Sequence, residues 1–318
     1  MRKLPLNCLA AGHHKACPTP ISYRNCRLPS SPRTAYLRLL PRQIEDYVMN
    51  CRIMSLTLSP VIIIPARMAA SRLPGKPLAD IAGKPMIQHV WERAMAADIA
   101  PVWVATDDDA IVAVVQAAGG NAVKTRADHP SGSDRTFEAV ERIDPDRHFD
   151  MILNLQGDLP ELDPMIPVTL LDTARHSRAE LSTLVTLADE DEAARPQVVK
   201  AVVSWRDDPD IPHPGAPQND TPQNDTPHIG TALYFSRAPV PIGDAPKYHH
   251  IGVYGWQRAA LARFVELPPS PLEMAERLEQ LRALEAGMTV AVAEIAAAPA
   301  GVDTEDDLAA TRQRLGGG

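Results

Sequence analysis

From residue 60 onward, short continuously apolar runs alternate with longer stretches whose apolar positions recur at helical spacing. Val61-Ile-Ile-Ile64 is apolar at every position, as expected of a strand buried on both faces of a parallel sheet. Residues 102–105, 122–124 and 151–155 read as further strands. Between them, residues 85–97, 110–118 and 137–143 read as helices. Met86, Val90 and Met95 are among the apolar positions of the first helix, and Gly119-Gly120 stops the second. Strands alternating with helices at this spacing predict an α/β fold with a doubly wound, mostly parallel sheet.

The second half changes character. Residues 181–187 and 198–203 have the β-branched content of longer strands, and residues 232–236 and 251–254 continue as strands. They predict a smaller antiparallel excursion that covers a substrate or pairs with a second subunit. Between Asp207 and His228, Pro-Gln-Asn-Asp-Thr occurs at 217–221 and again at 222–226, which predicts a mobile surface loop. Ser270-Pro-Leu-Glu273 combines an N-cap Ser, Pro at the first helical position and Glu at the third. The helix it opens has a stripe of Met274, Leu278, Leu281 and Leu284, with Gly287 just past its end. Residues 289–295 read as a last strand, and 303–314 as a terminal helix with an acidic first turn.

Composition divides the chain in two. All four cysteines, Cys8, Cys17, Cys26 and Cys51, lie in the first 53 residues, which also hold nine basic and two acidic side chains. That +7 segment, set against −8 for the whole, leaves −15 on the remaining 265 residues. Residues 1–53 therefore read as a separate basic extension and 54–318 as the folded domain. Three readings fit the extension: a translated region upstream of a start at Met54, a basic targeting segment, or a zinc appendage using Cys8, His13, His14 and Cys17. The spacing gives no close cysteine pair, which counts against zinc. A cysteine-free domain without a membrane-length apolar run fits the reducing cytoplasm, with no stable membrane association. Its acidic balance argues against a nucleic-acid partner.

The candidate chemistry sits at predicted strand exits. Arg67, Arg72 and Lys76 crowd the loop after the first strand, in Ser71-Arg-Leu-Pro-Gly-Lys-Pro77. Ligands of open α/β sheets bind beyond the carboxyl ends of strands, so these charges point to an anionic substrate. Arginine grips phosphate oxygens bidentately, lysine adds a compact charge, and Gly75 lets the backbone approach closely. The glycine spacing of a P-loop is absent. Gln156-Gly-Asp158 follows a buried strand, and Asp303 precedes the terminal helix. Either aspartate reads as a turn or capping residue, or as a hard oxygen ligand for Mg²⁺. Together with the basic loop they point to phosphoryl chemistry on a nucleotide.

Several stretches carry a resemblance: Ile64-Pro-Ala-Arg67, the basic loop, Gly83-Lys-Pro-Met-Ile87, Ala105-Thr-Asp107, Thr125-Arg-Ala-Asp-His129, Asn154-Leu-Gln-Gly-Asp158, His250-Ile-Gly-Val-Tyr254, Leu278-Glu-Gln-Leu-Arg282 and Gly301-Val-Asp-Thr304. In this order the chain resembles the 3-deoxy-manno-octulosonate (KDO) cytidylyltransferases over residues 61–314. The resemblance implies the nucleotide-diphospho-sugar transferase type of sheet and a homodimer. It also implies transfer of CMP from CTP to the anomeric hydroxyl of KDO, for lipopolysaccharide biosynthesis. By that likeness Arg67, Arg72 and Lys76 bind the CTP phosphates, with Gly75 beside them, and Asp158 and Asp303 coordinate Mg²⁺. Arg126 and Ser131 lie near the cytidine, and Gln156, His250, Glu279 and Gln280 in segments lining the sugar site. His250 reads either as a packed histidine or as a neutral donor to the sugar.

Departures from the family pattern include Met68-Ala-Ala-Ser71, Leu159-Pro160 after Asp158, and Ser133-Asp134-Arg135. They bear on sugar preference and loop geometry, not on the phosphate or metal groups. A cytidylyltransferase for another acidic sugar, such as a sialic acid or an amino variant of KDO, predicts the same phosphate loop and differs in acceptor selectivity. A non-enzymatic nucleotide sensor would bind CTP without acceptor-dependent pyrophosphate.

Overall fold

The structure is a computed structural model that describes residues 58–69, 73–205 and 228–317. The expectations for residues 1–53, for Arg72 and for all but the last residue of the 207–228 loop lie outside these residues. In chain order the elements begin with β1 (Pro60–Ala66), a 3-10 turn (Lys76–Leu78), the short strands β2 (Asp80–Ile81) and β3 (Lys84–Pro85), and α1 (Met86–Met95). Next come β4 (Val102–Thr106), α2 (Asp109–Ala117), β5 (Asn121–Lys124), α3 (Gly132–Ile143), β6 (Met151–Asn154) and α4 (Met165–Ser177). The second half holds β7 (Leu181–Leu187), α5 (Glu190–Ala194), β8 (Lys200–Trp205), β9 (Ile229–Ser236), β10 (Tyr248–Gln257) and α6 (Arg258–Glu266). It closes with α7 (Pro271–Glu276), α8 (Gln280–Glu285), β11 (Val290–Glu294) and α9 (Glu305–Gly316).

Nine strands form one sheet in the order β5-β4-β1-β6-β10-β7-β11-β9-β8. The first four are mutually parallel, as the alternating pattern predicts. Val61 and Ile63 of β1 enter the core on one face, Ile62 and Ile64 the core on the other, and all four are fully buried. A strand so enclosed has no polar face, which is why its sequence does not alternate.

β10 joins this sheet to the second half. Its C-terminal part runs antiparallel to β6, its opposite edge pairs with β7, and its N-terminal end also pairs with β8. Strands β10-β7-β11-β9-β8 therefore close into a five-membered ring. The expected excursion is thus present, mostly antiparallel but with β7 and β11 parallel. Its strands run longer than the sequence pattern indicates at β9 and β10.

Two expectations are corrected. Met95, assigned to the apolar face of α1, is 46% exposed, whereas Met86 and Val90 are fully buried. The single helix expected from Ser270 is two short ones, α7 and α8, separated at Arg277, whose φ of 57° is left-handed. The break lets Arg237 donate to the carbonyls of Glu276 and Arg277, at 2.9 and 3.3 Å, while the Glu276 carboxylate receives Ser236 Oγ and the Arg237 amide. Tertiary hydrogen bonds outweigh the helical stripe here, and Met274 of that stripe is 64% exposed. The cap is as expected, with Ser270 and Glu273 forming a reciprocal capping box.

Candidate active site

A cleft of about 290 Å³ opens at the carboxyl ends of β1 and β6, where the parallel topology predicts a ligand. Arg67 continues directly from β1 into its wall. The chain then turns through Gly75, whose φ of 72° is left-handed, and enters the 3-10 turn that begins with Lys76. Only glycine takes this conformation without strain, so the turn that aims Lys76 depends on it.

Lys76 Nζ donates to Asp158 Oδ2 at 2.8 Å and to Asp303 Oδ1 at 2.9 Å. Asp158 reaches this point from the end of β6 and Asp303 from the strap before α9. The strap is tied down by the Val302 amide donating to the Asp158 carbonyl at 3.0 Å. Leu73, Ile81, Met86, Val302 and Leu308 form a small apolar cluster that packs the strap and α9 against the basic loop. Residues 145 positions apart thus share one cation.

Gly157 explains how the β1 and β6 exits come so close: a Cβ there would lie 2.7 Å from the Pro65 carbonyl. Gly157→Ala should therefore push the two strand ends apart and cost about 1–3 kcal/mol, as overpacking does. Urea unfolding checks this, and an unchanged midpoint would contradict it.

The opposite wall comes from the segment between β5 and α3. Ser131 caps α3, accepting the Asp134 amide at 3.3 Å and donating its hydroxyl to the Asp134 carboxylate at 2.7 Å. His129 also faces the cleft, held by a very short contact from Nε2 to Glu138. Arg135 of α3 is 3% exposed and lines the cleft, with its guanidinium on Asp107 at 3.0 Å and Thr125 at 2.6 Å. Burial, and then repulsion from Arg67, push the Arg135 guanidinium down, while Asp107 opposes this. Arg135 and Arg67 both bring guanidinium groups to the cleft lining.

Gln156 lines the cleft and donates to the Gly252 carbonyl at 2.6 Å. Gly252 lies in the irregular stretch of β10 between Ile251 and Tyr254, where the β7 register shifts. On the side of α3, Glu279 accepts from Ser133 Oγ at 2.9 Å, and burial raises its carboxyl against that bond. Burial and the charge of Glu279 together raise the Tyr254 phenol. The His250 ring lies 5.6 Å from that of Tyr254. The Thr183 hydroxyl approaches the carbonyls of Ile251 and Val253, so it accepts from His250 Nε2 at 3.0 Å. Burial, and after it His249, push the His250 imidazole down to about 3, which keeps it neutral.

This has a consequence for stability. Between pH 6.5 and about 3 the unfolded chain protonates His250 and the folded chain does not. Stability therefore falls with acidification through that window. The His250→Gln protein should lose less stability than the parent between pH 7 and pH 4.5 in paired urea titrations. Parallel curves would contradict it.

Of the residues singled out in the sequence, Arg67, Lys76, Ser131, Gln156, Asp158 and Asp303 meet at the cleft. Gly75 shapes its loop, and Arg72 lies outside the described residues. His250 and Gln280 are buried and Glu279 is half-buried, and none of the three lines it. Arg126 is 64% exposed at its side chain, which pairs with Asp128 at 3.3 Å outside the cleft. Sequence reasoning missed Arg135 and His129. A basic residue in the first turns of a helix opposes the helix dipole, and that was the available signal for Arg135.

Among the described residues no group of three or more metal-ligating side chains occurs. The pair Asp158 and Asp303 nevertheless fits Mg²⁺. It offers hard oxygens already converging on a cation, the Lys76 ammonium, and Mg²⁺ takes its other ligands from phosphates and water.

The cytidylyltransferase family matches residues 61–290. A 3-deoxy-manno-octulosonate cytidylyltransferase of Rhodopseudomonas palustris is 51% identical over 258 residues, covering 81% of this chain and 98% of that protein. One from Parvibaculum lavamentivorans is 50% identical, covering 80% and 92%. A solved structure of CMP:2-keto-3-deoxy-manno-octonic acid synthetase complexed with CTP superposes with a TM-score of 0.69 at 42% identity, covering 81% of this chain and 98% of that one.

Proposed function

This chain belongs to the 3-deoxy-manno-octulosonate cytidylyltransferase family, and we propose that it transfers CMP from CTP to the anomeric hydroxyl of KDO, releasing pyrophosphate. The observation that carries this reading is the meeting of Arg67, Lys76, Asp158 and Asp303 at the exits of β1 and β6. The product, CMP-KDO, feeds lipopolysaccharide assembly.

The protein supplies alignment and charge. KDO brings its own nucleophilic hydroxyl, so no covalent residue is needed. Arg67, Lys76 and, by the family likeness, Arg72 hold the triphosphate, placing the α-phosphorus between the hydroxyl and the leaving group. Their contacts strengthen as negative charge moves onto the departing pyrophosphate. Asp158 and Asp303 would hold Mg²⁺, which would supply polarisation of the α-phosphoryl group and charge compensation for the leaving group. Ser131 serves the cytidine side, with Arg126 on the segment that leads to it. Gln156, backed by Gly252, faces the sugar, with Glu279, Gln280 and the neutral His250 behind it.

The enzyme works in the cytoplasm as a homodimer, with neither nucleic acid nor membrane as partner. No helix among the described residues is long and apolar enough to cross a membrane. Leu233 and Ile242, 60% and 97% exposed, are apolar side chains of the second half available to a second copy. Residues 1–53 are dispensable: a chain starting at Met54 should keep the thermal midpoint and turnover of the full chain, and loss of both would contradict this.

Acceptor competition tests the sugar assignment. With CTP, Mg²⁺ and equal KDO and sialic acid, the CMP-sugar formed should be CMP-KDO. Predominant CMP-sialic acid would contradict it.

A further inference from the structure

We propose that Lys76 is an internal counter-ion that couples divalent-cation binding to nucleotide binding. Its ammonium holds the Asp158–Asp303 pair together, has to leave that pair when a divalent cation enters, and then becomes available to the triphosphate. The inference rests on the reading of these two aspartates as cation ligands.

The geometry is specific. Lys76 Nζ makes both contacts at once, 2.8 Å to Asp158 and 2.9 Å to Asp303, and its side chain is only 11% exposed. The two aspartates are fixed from separate segments, Asp158 at the end of β6 and Asp303 on the strap tied through Val302 to the Asp158 carbonyl. A divalent ion held by these residues would take the same carboxylate oxygens. Two cations between one pair of carboxylates would repel strongly in a half-buried site, so one excludes the other. Lysine, a point charge on a flexible stem, can move where a bidentate arginine fork could not.

A displaced ammonium needs another anion. The wall it leaves carries Arg67 and Arg135, which also favour an anion in the cleft. Nucleotide binding therefore relieves the competition for the carboxylates, and the cation relieves the competition for the lysine. By linkage each ligand tightens the other. This coupling adds to any direct bond between cation and phosphate, and it has its own signature. Removing the lysine should tighten the cation and weaken the nucleotide, opposite signs from a single change.

Mn²⁺ binding to the full chain without nucleotide, followed by electron paramagnetic resonance, tests this. Lys76→Met should bind Mn²⁺ at least about tenfold more tightly than the parent while binding CTP more weakly, a factor within the usual range of coupling between sites. Equal or weaker Mn²⁺ binding would overturn the proposal. Adding Asp303→Asn to Lys76→Met should abolish the gained affinity. If the gain persists, the cation is not on the carboxylate pair, and the ligand reading itself fails. The parent protein gives a check that does not depend on a variant folding. Mg²⁺ alone should shift the ¹⁵N resonance of the Lys76 ammonium, and an unmoved resonance at saturating Mg²⁺ would overturn the coupling.

Discussion

Asp158→Asn is expected to reduce turnover on the order of 1,000-fold while leaving the fold intact. The amide keeps the shape of the carboxylate but removes the charge that the cation site and Lys76 both use. Asp158 sits on a turn at the end of β6 with its side chain 32% exposed, so the fold does not depend on its ionisation. The carbonyl that anchors the strap through Val302 is backbone and survives the change. Turnover at saturating CTP and KDO, with circular dichroism of both proteins, checks this. Parental turnover in the variant would remove Asp158 from the metal assignment.

Lys76→Ala is expected to lower kcat/KM for CTP by about 100-fold, the scale of losing one preorganised donor to a charged transition state. Two effects add. The triphosphate loses a cation, and Asp158 and Asp303 are left facing each other without the ammonium that now lies 2.8 and 2.9 Å from them. Adding Mg²⁺ should restore part of the thermal stability but not the CTP dependence, because the cation replaces the lysine only at the carboxylates. Initial rates across CTP concentrations separate the two. Kinetics unchanged from the parent would contradict a phosphate role.

The parallel half of the fold was legible because burial on both faces leaves no choice of residue: Val61 to Ile64 have to be apolar. Helix α4 was harder to see. Pro164 and Pro167 look like breakers, yet they fall at its N-cap and first turn, where no amide is needed. The break at Arg277 had no local signal at all, since the groups that favour it, led by Arg237, come from β9 and the loop after it. In the site, the basic loop could be read from its charges at a strand exit. The convergence of Asp158 and Asp303 on Lys76 could not, because spacing along the chain carries no information about contacts 145 residues apart. The family likeness suggested that pairing, and the distances at Lys76 give it a geometric basis. Arg126, placed near the cytidine by the likeness, has an exposed side chain that pairs with Asp128.

The most direct measurement is pyrophosphate release by the purified full chain with CTP, KDO and Mg²⁺, alongside reactions lacking each component. Release that requires all three, with CMP-KDO formed in equal amount, is the expected result. No release from folded protein, or release from CTP that proceeds equally without KDO, would contradict CMP transfer to this sugar.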